Sequence, residues 1–86
     1  MSTDTGSLRR PLQPMPDFVR EALLARGLMP SYEARPAYQR NDYLGWINSA
    51  KRVATQLKRM EQMLDELAAG DRYMNMVWNG GRRGAE

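Results

Sequence analysis

The sequence predicts an all-α fold, a small bundle of three to four helices with a disordered N-terminal lead-in and a flexible C-terminal end. The main observation is an apolar stripe: Val53, Leu57, Met60, Leu64 and Leu67 fall at i, i+4, i+7, i+11 and i+14, one face of a helix about four turns long. Prolines at 16, 30 and 36 and glycines at 27 and 70 stand where helices start and stop. No stretch alternates apolar and polar residues for long enough to read as a strand.

Residues 1–14 carry Pro11 and Pro14 and, as aliphatic anchors, only Leu8 and Leu12, so they read as a disordered lead-in. The first helix is expected to start near Pro16, because proline is accommodated in a first turn, with Asp17 and Glu21 placed well for the helix dipole. Phe18, Val19, Ala22 and Leu23 form its apolar face, Asp17 can pair with Arg20, and Gly27 ends it. Residues 30–35 have room for one short turn before Pro36. A further helix is expected from Pro36 to about Ala50, with Tyr43, Leu44, Ile47 and Ala50 inward and Arg40, Asp42 and Asn48 to solvent. Gly45 inside it costs roughly 1 kcal/mol relative to Ala, which a close approach by a neighbouring backbone would explain.

The last helix is the stripe already described, widened by Met63 and Ala68 and closed by Gly70. Residues 73–78 are too apolar for a free tail; they fold back over the helices or dock into another chain, and folding back is the expectation. The end at 79–84 reads as flexible and basic. The domain assignment is therefore a lead-in at 1–14, a helical domain at 15–72 and a tail at 73–86. The expected core comprises Phe18, Leu23, Tyr43, Leu44, Trp46, Ile47, Ala50, Leu57, Met60, Leu64 and Leu67.

Eighty-six residues allow one domain, which buries only about 60–65% of its extended-chain surface. The chain has neither Cys nor His, which removes thiolate nucleophiles, imidazole bases and ordinary zinc sites. No run approaches the length of a membrane span, and no apolar leader opens the chain, so a cytoplasmic protein is expected. Glu61 and Asp65 share a helix face without a third metal ligand, and Ser49 and Lys51 sit at i,i+2, on different faces of a helix. No catalytic residue, cofactor or metal is expected.

Charge is distributed unevenly. Residues 40–59 hold Arg40, Lys51, Arg52, Lys58 and Arg59 against one acid, Asp42, whereas residues 60–71 hold Glu61, Asp65, Glu66 and Asp71 and no base. Bases at the start of the last helix and acids toward its end both oppose the macrodipole, by about 0.3–1 kcal/mol each. Lys51, Arg52, Thr55, Lys58 and Arg59 are therefore the candidate contacts for an anion or an acidic partner. The bland alternative is a solvated face neutralised within the chain by Asp42, Glu33 or Glu21, or by a Lys58–Glu61 pair.

The segment Tyr43-Leu44-Gly45-Trp46-Ile47-Asn48-Ser49-Ala50-Lys51, followed by Thr55, Lys58-Arg59 and Gly70, resembles the YdeI/OmpD-associated family. That family's pattern is an aromatic or apolar pair, Trp-Ile, Ala-Lys, then a Thr-Arg helix start and a leucine-rich helix ending in Gly. Trp46, Ile47, Ala50, Lys51, Thr55, Arg59 and Gly70 match it, while Val53 replaces a frequent proline and Gln56 an arginine. The resemblance spans about residues 16–72. It implies a helical module linked to bacteriocin protection and to association with an outer-membrane porin, without catalytic residues or cofactor.

Two functions from different classes follow. The first is a non-catalytic interaction module that binds an acidic protein or anionic surface through its basic helix start. The alternative is a nucleic-acid-binding protein, because two helices joined near Asn48–Arg52 with Thr55, Gln56 and Arg59 leading the second loosely resemble a helix-turn-helix. An enzyme is the least expected. The sequence leaves the partner and the oligomeric state open.

Overall fold

The computed structural model of the chain describes residues 12–78. In chain order they form α1 (Asp17–Ala25), α2 (Met29–Glu33), α3 (Ala37–Ser49), α4 (Val53–Ala69) and a short antiparallel hairpin of β1 (Arg72–Tyr73) and β2 (Met76–Val77). The hairpin pairs Arg72 with Val77 and Tyr73 with Met76. The reading of residues 1–11 as disordered and of 79–84 as a flexible basic end falls outside the described residues.

Local chemistry explains the helix ends. Pro16 caps α1 from outside, in extended conformation, and its carbonyl accepts from the Val19 and Arg20 amides, both at 3.1 Å. Asp17 pairs with Arg20 at 3.2 Å, as its i,i+3 spacing allows. At the other end Gly27 adopts φ +68°, and the Leu28 amide reaches back to Leu23 O at 2.8 Å while the Gly27 amide bonds Leu24 O at 3.1 Å. These two bonds define a Schellman motif, which requires a left-handed residue at Gly27. Pro36 sits at the N-cap of α3, one place earlier than the expected N1 position. Gly70, at φ +84°, terminates α4.

The core is built from Val19 and Leu23 of α1, Tyr32 of α2, Tyr43, Leu44 and Ile47 of α3, and Met60, Met63, Leu64 and Leu67 of α4. Ala50 is buried beside it. Phe18 and Trp46, expected in the core, are half-buried and pack against its edge.

Leu57 departs from the expectation. It is 43% exposed, and Val53 is 68% exposed, so the apolar stripe of α4 enters the core only from Met60 onward. The reason is where α4 meets the end of α3. Gln56 Nε2 donates to Ala50 O at 3.0 Å and Arg59 Nη1 to Trp46 O at 2.6 Å. The first turns of α4 are thus tied to the end of α3 through the polar side chains of Gln56 and Arg59, while Val53 and Leu57 stay exposed. Ala68, expected to widen the stripe, is exposed as well.

Helix α3 is engaged on several sides. Gln39 and Asn41 are buried along with Tyr43, Leu44 and Ile47. The residues expected to face solvent are tied to other segments: Arg40 Nε donates to Arg35 O at 3.1 Å, Asp42 accepts from Tyr73 Oη at 2.6 Å, and Asn48 Nδ2 donates to Pro14 O at 3.0 Å. The Gln13 amide donates to Asn41 Oδ1 at 2.7 Å. Residues 13 and 14, placed in the disordered lead-in by their composition, are therefore fastened to α3. The approach that explains Gly45 comes from the side chain of Gln13 and not from a backbone: a Cβ at Gly45 would meet Gln13 Cγ at 3.3 Å.

Candidate functional site

The basic start of α4 divides into two groups. Arg59 turns inward across the end of α3, where Nη1 also contacts Ser49 Oγ at 3.1 Å and the guanidinium lies 5.3 Å from the Trp46 ring. It satisfies a carbonyl at the C-terminal end of α3, where the helix dipole favours a cation. Thr55 is half-buried. Lys51, Arg52 and Lys58 remain exposed and make no ion pair among the described residues.

None of the expected neutralising partners pairs with these cations among the described residues. Lys58 does not pair with Glu61; Glu61 and Asp65 instead face Arg26 of α1, at 3.6 and 3.7 Å. The first turn of α4 has no side-chain cap and no acid. Between these cations in the sequence lie Val53 and Leu57, one turn apart and exposed. This end of α4 thus combines an apolar pair with positive charge that has no ion pair among the described residues.

A second polar assembly sits at the other end of α4 and was not singled out by sequence. Glu66 is 5% exposed, yet its carboxylate accepts four hydrogen bonds. Oε1 takes Tyr43 Oη at 2.5 Å and the Met74 amide at 2.8 Å; Oε2 takes the Asn75 amide at 2.6 Å and Gln62 Nε2 at 3.1 Å. Met74 and Asn75 are the hairpin's turn and both adopt positive φ, +51° and +68°. That is the backbone of the two-residue turns that favour antiparallel hairpins. The carboxylate therefore holds a strained turn, and with it the folded-back segment, against the bundle.

Arg35, also 5% exposed, braces the same region. Its Nη2 donates to Glu66 O at 3.1 Å and its Nη1 to Gln39 Oε1 at 3.1 Å, while its guanidinium stacks on the Trp78 ring at 4.4 Å. Glu66 O also accepts from the Gly70 amide at 2.9 Å, and a cation suits this end of α4, the negative end of the helix dipole. No buried side-chain nitrogen or oxygen among the described residues lacks a partner. Burial, followed by the hydrogen bond to Glu66, pushes the Tyr43 phenol well above its ordinary range. Burial and then the bond to Asp42 do the same to Tyr73. These protonated phenols act as donors that hold α3, α4 and β1 together.

Between α3 and the hairpin runs a groove of about 430 Å3, walled by Asp42, Trp46, Tyr73, Met74 and Met76. Among the described residues no cluster of acids fits a metal ion, and no helix is long and apolar enough to cross a membrane.

The family described as OmdA, bacteriocin-protection, YdeI or OmpD-associated, matches the chain over residues 14–70. The chain belongs to that family. Neither a curated protein nor a solved structure matches it. The OmdA region starts at Pro14, whose carbonyl is held by Asn48, and ends at Gly70, the left-handed cap of α4. The residues that carry the OmdA resemblance are mainly architectural here. Ile47 and Ala50 are buried, Trp46 and Arg59 clamp α3 to α4, and Gly70 turns the chain toward the hairpin. Of the two matching cations, Lys51 is exposed and Arg59 is half-buried.

Of the residues missed by sequence reasoning, Glu66 had no local signal: at about 100° per residue it lies beyond Met63, well round the helix from the centre of the apolar stripe. Arg35 had none, because its burial depends on Trp78 and the end of α4 converging on a bend between two helices.

Proposed function

We propose that the chain is a non-catalytic interaction module of the OmdA family, docking an acidic protein surface on the start of α4. The observation that carries this is the exposed Val53–Leu57 pair set among Lys51, Arg52 and Lys58, cations that make no ion pair among the described residues. Apolar area drives association, and the surrounding positive charge selects a partner with Asp and Glu around its own apolar contacts. The helix dipole favours the same partner, since an acidic surface supplies the negative charge that the first turn of α4 lacks. Nucleic acid is disfavoured because Gln56 and Arg59, two of the candidate base readers, are bonded to the end of α3.

The test is a triple charge reversal, Lys51→Glu, Arg52→Glu and Lys58→Glu. Acids at a helix start are favourable by about 0.3–1 kcal/mol each, so the variant should melt no lower than the native chain. It should lose the proteins that the native chain retains in a pull-down, and those proteins should be acidic. Equal recovery by the variant overturns the proposal. A gel shift of duplex DNA at low salt, abolished by the same reversal, would replace it with the nucleic-acid reading.

A further inference from the structure

Beside the first half of α3, away from the basic start of α4, lies a cavity of about 210 Å3. Its lining comes from the segment before α1, from α2 and from α3, and among the described residues Arg40 is its one charged group. Arg40 Nε donates to Arg35 O at 3.1 Å, which anchors the guanidinium. The two Nη groups make no hydrogen bond or ion pair among the described residues. Tyr32, on the same lining, is 6% exposed, and its hydroxyl bonds to no described residue. Since no buried side-chain oxygen among the described residues lacks a partner, that hydroxyl still reaches solvent, at the cavity. Burial holds the Tyr32 phenol above its ordinary value against the pull of the Arg40 charge, so it stays a protonated donor. Leu44 is buried and Leu12 is 75% exposed, so apolar surface runs from the inner end of the cavity to its rim.

We propose that this cavity binds a carboxylate carried on a short aliphatic chain. A cation would be repelled by Arg40, and a wholly apolar occupant would strip water from the guanidinium and the hydroxyl without replacing it. A carboxylate satisfies both. The Nη pair matches its two oxygens, and the Tyr32 hydroxyl donates to a lone pair that this fork leaves open. Asn41 Oδ1 already accepts from the Gln13 amide at 2.7 Å, so recognition falls to Arg40 and Tyr32. The aliphatic chain covers Leu12, Ala37 and Leu44. Ala37 opens α3, whose first turn holds no acid, so the positive end of that helix favours the same anion. Inorganic phosphate fits less well, because it leaves the apolar wall uncovered and calls for more donors than one guanidinium and one hydroxyl. A free short-chain acid and a glutamate side chain of a partner polypeptide carry the same chemistry.

An NMR titration with butyrate, with neutral butyramide as control, tests the assignment. The Tyr32 ring and Leu44 methyl signals should move saturably with butyrate and not with butyramide. Tyr32→Phe removes a hydroxyl that bonds to no described residue, so the melting temperature should not fall, yet butyrate should bind roughly fivefold more weakly or worse. Arg40→Met keeps an apolar stem and should weaken binding by roughly tenfold or more. Because it also loses the bond to Arg35 O, Tyr32→Phe is the deciding variant. Equal shifts with butyramide, or native butyrate affinity in Tyr32→Phe, would overturn the proposal, as would inorganic phosphate binding as tightly as butyrate. Acetyl-glutamate-amide separates the two sources: tighter binding than butyrate assigns the occupant to a polypeptide side chain, and weaker binding to a free acid. The triple reversal at Lys51, Arg52 and Lys58 should bind butyrate as tightly as the native chain, so the two sites stand or fall separately.

Discussion

Replacing Glu66 by Gln removes one negative charge and turns one acceptor oxygen into a donor, with almost no change in shape. The four hydrogen bonds on Glu66 are arranged so that this substitution cannot be absorbed. If the new amide nitrogen replaces Oε1, Tyr43 can rotate its hydroxyl, but the Met74 amide then faces a donor. If it replaces Oε2, the Gln62 amide can flip, but the Asn75 amide faces a donor instead. Either way one backbone N–H of the positive-φ turn loses its partner, and the surviving bonds lose their charge assistance. Hydrogen bonds to charged groups contribute about 1.5–3 kcal/mol, and an orphaned donor costs about 1–3 kcal/mol, so a loss of roughly 2–4 kcal/mol is expected. For a domain of this size that lowers the melting temperature by roughly 10–25 °C. Circular dichroism melting measures it, and amide hydrogen exchange at Met74 and Asn75 locates it. Asp65→Asn is the control, because that carboxylate is exposed and paired only at 3.7 Å, so it should stay within about 0.5 kcal/mol of the native chain. If Glu66→Gln were equally mild, or left both amides as protected as before, the carboxylate would not be what holds the hairpin.

Three further outcomes follow from the same contacts. Burial and hydrogen bonds to carboxylates raise the Tyr43 and Tyr73 phenols above their ordinary value of 10.0. A raised phenol contributes stability that is complete below its unfolded value and is lost as pH climbs above it, at up to about 1.4 kcal/mol per pH unit for each group. Urea unfolding should therefore show stability falling from about pH 10 upward, and Tyr73→Phe should make that fall shallower; a profile as steep in the variant would exclude Tyr73 as a source. Arg59→Ala should cost about 1–2 kcal/mol through loss of its bonds to Trp46 O and Ser49 Oγ, and Arg59→Lys should recover little because the fork is gone. Thermal melting of the two variants side by side decides it, since full recovery by lysine would mean that only charge matters. Leu57→Ala should change stability by less than about 0.5 kcal/mol while Leu64→Ala, from the same stripe, should cost about 2–5 kcal/mol; similar losses at both positions in urea titrations would show that Leu57 packs in solution.

The helices, their order and most of their ends were legible from spacing and punctuation. Gly27 and Gly70 are left-handed caps where the sequence placed helix stops, and the Tyr43, Leu44, Ile47 and Ala50 face is buried as its periodicity implied. The family was legible too, from seven residues whose spacing spans α3 and α4. The candidate contact surface was legible only in part. Lys51, Arg52 and Lys58 are exposed and make no ion pair among the described residues, but Arg59 is spent on the end of α3, and a periodic stripe could not show where its neighbour stops covering it.

By itself, then, the sequence determined the all-α framework, because hydrophobic period, proline position and left-handed caps are local properties that act within a few residues of themselves. Tertiary structure alone decided which polar groups go inside. Glu66 and Asp65 are adjacent acids on one helix, yet one is buried under four donors and the other faces solvent. The donors come from α3, from α4 and from a turn beyond it, brought together only when the hairpin folds back. The same long-range meeting buries Arg35 beneath Trp78 and opens the groove beside Asp42. A residue's local spacing says which way it points, and only its distant neighbours determine whether it meets water there.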